Sequence, residues 1–115
     1  MKNDPLIQDD QCVVLNVRER GLVVLTGCGH SGIINSLNYA KELTGVERIY
    51  AVMGGMHLSG ALFEPIIPRT IGELERLRPE FLVPCHCTGV KATNEILRTM
   101  PNTFIQNSVG TTYTF

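Results

Sequence analysis

The chain has 115 residues, a net charge of −1 and a pI near 6.3. That length allows at most one domain, with enough chain to bury a core, and so even a charge balance gives no electrostatic case for nucleic acid or an anionic membrane. The stretch Met1–Asp10 is polar, carries Asp4, Asp9 and Asp10, and does not read as a signal peptide; no apolar run approaches the roughly 20 residues that cross a bilayer.

In chain order, Cys12–Val17 is apolar enough for a strand, and Arg18-Glu19-Arg20-Gly21 reads as a hairpin turn into a second strand, 22–26. Ser31 is the expected N-cap of a helix running to Leu43. Its residues Ile33, Ile34, Leu37 and Ala40 recur on one helical face, and Gly45 stands where a left-handed cap ends the helix. A strand follows over 48–53. Leu58–Arg69 reads as a loop with Pro65, Pro68 and the exposed-looking Leu62, Phe63, Ile66 and Ile67. Long loops in small domains tend to be functional, and this one resembles a mobile cover. A second helix is expected over 70–78, closed by Pro79. Then come a short strand at 81–83, a helix over Val90–Thr99, and two β candidates in the tail, 103–106 and 111–115. A hairpin followed by strand–helix repeats predicts an α/β domain with helices packed on one face of a mixed sheet.

All three histidines lie just past apolar runs, and each is flanked by Gly or Cys. The motifs are Gly27-Cys28-Gly29-His30-Ser31-Gly32, Gly54-Gly55-Met56-His57-Leu58 and Cys85-His86-Cys87-Thr88-Gly89. Residues past strand ends share one edge of a sheet, where α/β proteins assemble sites, and imidazole is the commonest ligand for a catalytic metal. The expectation is one site built from three loops, with the strand ends at Thr26, Met53 and Val83 side by side. Singly, His30 could be a capping residue in a tight turn and His57 a plain loop histidine. The glycine turn before the first helix fits neither phosphate-binding fingerprint, although a helix N-terminus can hold an anion.

In Cys85-His86-Cys87 an extended backbone would point the cysteines one way and His86 the other, so the three could not easily share a metal. The one-residue gap also departs from the usual structural-zinc spacing. His86 as ligand, with the cysteines packed as small residues, is the simpler reading. Cys85 and Cys87 are too close to pair, and the remaining composition reads as cytoplasmic. Free thiols or metal ligands are therefore expected rather than disulfides.

Asp9-Asp10-Gln11, Thr26–Asn35, Gly54–Leu58 and Val83–Gly89 together resemble the metallo-β-lactamase superfamily. The likeness is to its dihydropteroate-synthase-like branch of metal-dependent hydrolases, which includes archaeal enzymes linked to pterin biosynthesis. It implies an αββα sandwich with a metal site at one edge of two facing sheets. It implies that His86 and His30 bind the metal, with Cys28 as an alternative or additional ligand, and that His57 is a substrate-facing or proton-transfer residue. The metal would be divalent, zinc first, with manganese or iron as alternatives. Members of this type carry a His-x-His-x-Asp-His cluster in their N-terminal half, and none occurs here. The resemblance therefore covers the C-terminal half only and implies an incomplete or partner-dependent site.

The leading functional reading is a metal-dependent hydrolase acting on a small molecule, phosphorylated or pterin-related. A second is a non-catalytic half-domain that self-associates as a homodimer or docks with a complementary N-terminal half. A third is a ligand-binding α/β domain without metal.

Overall fold

β-Branched residues and a three-residue turn start the fold as an antiparallel hairpin. Strand β1 (Cys12–Val17) pairs with β2 (Gly21–Thr26), with Val14 opposite Val24 and Glu19 in the turn at φ 62°. Helix α1 (Ile33–Thr44) then returns the chain to β3 (Ile49–Gly55), and α2 (Ile67–Leu77) leads to β4 (Phe81–Cys85), before α3 (Val90–Thr99). The sheet order is β1-β2-β3-β4, with β3 parallel to β2 and to β4. The computed structural model describes residues 7–115; residues 1–6, Asp4 among them, lie outside the described residues. Among those described, no helix is long and apolar enough to cross a membrane.

The helices cover one face of this mixed sheet, as the patterning predicts. Ile33, Leu37 and Ala40 of α1, Ile67, Ile71 and Leu74 of α2, and Ala92 and Ile96 of α3 form one cluster with Leu22, Val24, Val52 and Leu82 of the strands. Each helix thus buries a single stripe, which is what its apolar spacing encodes. The opposite face carries Val23, Tyr50 and Ala51, with Val17, Leu25, Met53 and Phe81 partly buried around them. The Tyr50 ring meets Phe81 at 5.3 Å, Phe115 at 6.0 Å and the Arg20 guanidinium at 5.5 Å. Toward β1 that face is open: Val13, opposite Leu25, is 54% exposed and Leu15, opposite Val23, 44%.

Several boundaries differ from the sequence expectation, each for a local reason. Ser31 is not the N-cap of α1. Asp10 Oδ2 accepts from its hydroxyl at 2.6 Å and its amide at 2.9 Å, and Gly32 at φ 93° starts the helix instead. The 58–69 loop is shorter than expected: Glu64–Ile66 is a 3-10 turn, and α2 begins at Ile67, three residues before Thr70, with Pro68 in its first turn. Prolines suit that place because the first turn's amides have no partner to lose. Consequently Ile67 is buried and Phe63 half-buried, while Leu62 and Ile66 stay exposed. Arg78 closes α2 at φ 49° ahead of Pro79.

β3 and β4 each run two residues further than expected. In the tail, 103–106 forms only one parallel bridge, Leu82 to Phe104. Leu82 donates to Thr103 and accepts from Ile105, but the next donor on β4 would be Pro84, which has no N–H. Residues 111–115 form no strand; Phe115 packs through its ring.

One small test of the helix assignments is Gly72→Ala in α2. Among the described residues, an added Cβ there meets no atom within 4 Å apart from its chain neighbours and the helix's own backbone. The substitution is expected to stabilise the fold by about 0.5–1 kcal/mol by restricting the unfolded chain, measured by urea denaturation.

Candidate functional site

Parallel pairing sets three loops on one sheet edge: Thr26 is in register with Gly54, and Gly54 with Pro84. The loops are then laced together. Gly55 donates to the Gly27 carbonyl at 3.0 Å, Leu58 to the Cys87 carbonyl at 3.1 Å, and the buried Thr88 hydroxyl accepts from the Met56 amide at 3.2 Å. Thr26 Oγ1 donates to the Gly55 carbonyl at 2.7 Å. Polar loop backbone is thus satisfied internally and the loops are held in fixed register.

Two groupings of side chains result. In the first, Cys28 Sγ lies 3.3 Å from His86 Nε2, and these atoms and Cys87 Sγ all lie within 4.8 Å of one another. The strand ends at Cys85, and a 3-10 turn over His86–Thr88 swings His86 and Cys87 to the same side. Alternation along an extended chain, which would have separated them, therefore does not apply. Cys85 is the cysteine left out, its Sγ accepting from Asn107 Nδ2 at 3.2 Å. Burial pushes the Cys87 thiol up, the His57 amide that donates to it pulls the other way, and the neighbouring Cys28 adds to the rise. All four cysteines are free.

The second grouping holds the other two histidines. His57 adopts φ 48°, uncommon for a residue with a side chain. Its ring stands edge-on to His30 and to Phe63, each at 4.5 Å between centroids. His57 Nδ1 is buried and, among the described residues, has no hydrogen-bond partner. His30 is exposed. Both rings line an open cavity of about 510 Å³ between the start of α1 and α2, whose lining also includes Asn38, Ile66, Arg69 and Glu73. Thus His86 groups with Cys28 and Cys87, whereas His30 and His57 group with each other. Cys87 is the residue the sequence reading passed over; the short Cys-His-Cys spacing was the available signal.

The first grouping is suited to a metal. Two thiols and an imidazole are a donor set that favours zinc and other soft or borderline ions. Room for them depends on Gly55, where a Cβ would stand 2.6 Å from Cys87 Sγ and 2.9 Å from Cys28 Cα. Asp10 steadies the neighbouring turn. Burial is the largest single influence and raises its pKa, but hydrogen bonds from the Ser31 hydroxyl and the Ser31 and His30 amides, with the charge of His30, together prevail and hold it below the usual carboxylate value. A lowered carboxyl stabilises the fold above its unfolded pKa and loses that contribution as pH falls through the folded value.

Cys28 lies ahead of α1, which begins at Ile33, and its notable neighbour is His86. Cys12 has its thiol pushed up by burial and by the charge of Asp10, which lowers its thiolate fraction at neutral pH. Brief alkylation at pH 7 followed by mass spectrometry is expected to label Cys28 ahead of Cys12; the reverse order would count against this arrangement.

No family model matches the chain. It is 33% identical over 102 residues to 7,8-dihydropterin-6-methyl-4-(β-D-ribofuranosyl)-aminobenzene-5'-phosphate synthase of Methanocaldococcus jannaschii, spanning 89% of this chain and 34% of that protein. It is 34% identical over 88 residues to an uncharacterized protein of the same organism, spanning 76% of this chain and 32% of the relative. Among solved structures it matches a metal-dependent hydrolase of the β-lactamase superfamily with a TM-score of 0.73 and 35% identity, over 85% of this chain and 37% of that one. The chain spans about a third of the length of each.

Proposed function

We propose, from the premise that this chain has the fold of one part of a metallo-β-lactamase-superfamily hydrolase, that it serves a divalent-metal-dependent hydrolase whose ion is held on this side by Cys28, His86 and Cys87. The observation that carries the reading is the convergence of those three donor atoms within 4.8 Å where three strand ends meet. Zinc suits the thiolates better than manganese or iron. When bound, such an ion polarises the bond under attack and makes water more acidic. His57 and His30, whose rings line the adjoining cavity, would bind substrate or move a proton. The substrate class that fits is a phosphorylated or pterin-related small molecule. The archaeal relative's name includes a 5'-phosphate, and the first turn of α1, without a side-chain cap, opens into the cavity.

Cobalt substitution tests the ligand set without an activity assay. The protein is expected to take up one cobalt ion with sulfur-to-cobalt charge-transfer absorption. That band should weaken in Cys28→Ser and in Cys87→Ser and vanish in the double variant. No band in the unaltered protein would end the metal reading; a band untouched by Cys87→Ser would remove Cys87 alone. Uptake displaces the Cys87 proton, so that thiol alone should raise affinity by about tenfold per pH unit while, its pKa raised, it remains protonated in the free protein, and any proton lost by Cys28 adds to the slope. The chain assayed alone on a phosphodiester is expected to turn over slowly, since among the described residues three donors converge and a two-metal centre would need more.

A second reading is favoured by the open sheet face at Val13 and Leu15. Covering such a face is favourable by about 25 cal/mol per Å² of apolar surface. A second copy of the chain, or a separate segment that completes the sandwich, would supply the cover. Light scattering that finds only monomer at high concentration would exclude the homodimer.

A further inference from the structure

The two thiols of the Cys28–His86–Cys87 group stand in a relation that metal binding alone does not require. Cys28 and Cys87 are 59 residues apart in the chain, yet the Cys87 thiol donates to the Cys28 carbonyl at 3.2 Å and the two Sγ atoms lie within 4.8 Å of each other. Their strands are not neighbours: β2 and β4 flank β3. The sulfurs meet across the end of β3 because Gly55 has no side chain there; a Cβ would stand 2.6 Å from Cys87 Sγ. The backbones on either side are fixed by other bonds, Gly55 donating to the Gly27 carbonyl and Leu58 to that of Cys87. A disulfide needs sulfurs about 2.03–2.05 Å apart, and a change of staggered rotamer at either cysteine moves its sulfur by a distance comparable to the gap. Both thiols are free and half-buried, so a small reagent reaches them. Cys85 is turned away, to Asn107 and the Val83 carbonyl.

We infer that Cys28 and Cys87 form a reversible thiol–disulfide pair that reacts with low-molecular-weight disulfides of the glutathione kind. Cys28 is the entry point, since its Sγ lies 3.3 Å from His86 Nε2 while the Cys87 thiol is held by a carbonyl. The Cys28 sulfur breaks the reagent's S–S bond, forming a mixed disulfide and releasing one glutathione. Cys87 then attacks the Cys28 sulfur, forming the Cys28–Cys87 bond and releasing the second glutathione. The two cysteines lose two electrons, the reagent disulfide gains them, and the two thiol protons end on the two glutathiones. Disulfide and metal exclude each other because each uses both sulfurs, and oxidation leaves His86 as the one donor of the group. The consequence that redox state regulates metal occupancy rests on the proposed hydrolase reading; the disulfide itself needs no ion. The link also ties the ends of β2 and β4 across β3, so the oxidised chain gains resistance to unfolding from a cross-link spanning 59 residues.

The test treats the full chain with EDTA, incubates it with excess oxidised glutathione in the absence of air, traps free thiols with iodoacetamide and maps the peptides by mass spectrometry. The expected product has one linked peptide pair, containing Cys28 and Cys87, and its urea midpoint is raised until a reductant is added. Cys85→Ser should form the same link at the same rate. Cys87→Ser should stop at a mixed disulfide between Cys28 and glutathione, because the thiol that resolves it is gone. The oxidised chain should give no cobalt band until it is reduced. Zinc held at about ten times its dissociation constant should slow the oxidation about tenfold, since only the metal-free form reacts. A link between any other two cysteines, or a glutathione adduct that persists on Cys28 of the unaltered protein, would overturn the inference; a cobalt band in that same reduced protein would leave the hydrolase reading intact. The Cys28–Cys87 link formed in a protein that gives no cobalt band when reduced would do the reverse.

Discussion

Gly54→Ala is expected to cost the fold about 3 kcal/mol or more and to take the candidate site with it. Gly54 has φ 119°, a conformation that residues with side chains rarely adopt, and its added Cβ would overlap the carbonyl oxygen of Thr26 on the paired strand. The conformational strain is on the order of 1–3 kcal/mol, and forcing an atom into packed backbone adds about 1–3 kcal/mol. Against a typical total of about 5–15 kcal/mol, that is a large fraction. Urea denaturation should show the midpoint falling with little change in slope, and the melting temperature should drop on the order of 10 °C or more. Gly72→Ala is the matched control, with the opposite sign. Near-equal stability of the two variants would contradict the parallel register of β2 and β3.

The second large effect is on metal affinity. Structural zinc in small domains is bound by about 10–16 kcal/mol through four ligands, so one ligand is worth roughly 3 kcal/mol, or about a hundredfold. His86→Ala and Cys28→Ser are each expected to weaken zinc by about that factor in competition with a chromophoric chelator. His30→Ala discriminates between the two assignments for the first loop. His30 meets His57 edge-on and is not in the group that holds His86, so its loss should leave zinc affinity within a few-fold of the unaltered protein. A hundredfold loss would return His30 to the ligand set that the resemblance implies. Gly55→Ala should behave like a ligand substitution although it removes no donor, because its methyl group competes for the space of Cys87 Sγ.

The elements read well from sequence wherever one periodicity governed them. The spacing of Ala92, Ile96 and Met100 places α3 at Val90–Thr99, and the β-branched runs locate β1 and β2. Sequence reading fell short where a tertiary contact outbid a local preference. Ser31 is a good cap by composition, yet Asp10, 21 residues earlier, takes its hydroxyl and amide. The tail looks like strand by residue type, but pairing along β4 halts at Pro84, which only the fold shows to be the next donor position. The site was half legible. Chemistry-bearing loops after three strands were visible as Gly, Cys and His clusters. Their division into a thiol–imidazole group and a ring-lined cavity was not, because it depends on the 3-10 turn at His86–Thr88 and on the left-handed backbone of His57.

The separation of the cluster's members along the chain also bears on how the molecule reaches its native state. His86 and Cys87 are adjacent, but Cys28 is 58 and 59 residues away from them, beyond two crossover connections. The β1–β2 hairpin can close within microseconds from local contacts, whereas parallel ladders across helices form late because loop-closure entropy must be overcome first. An ion present during refolding would meet His86 and Cys87 as a loose pair and acquire Cys28 only when β2, β3 and β4 are in register. In a stopped-flow experiment the second thiolate band is then a clock for completion of the sheet, running behind the recovery of helical signal.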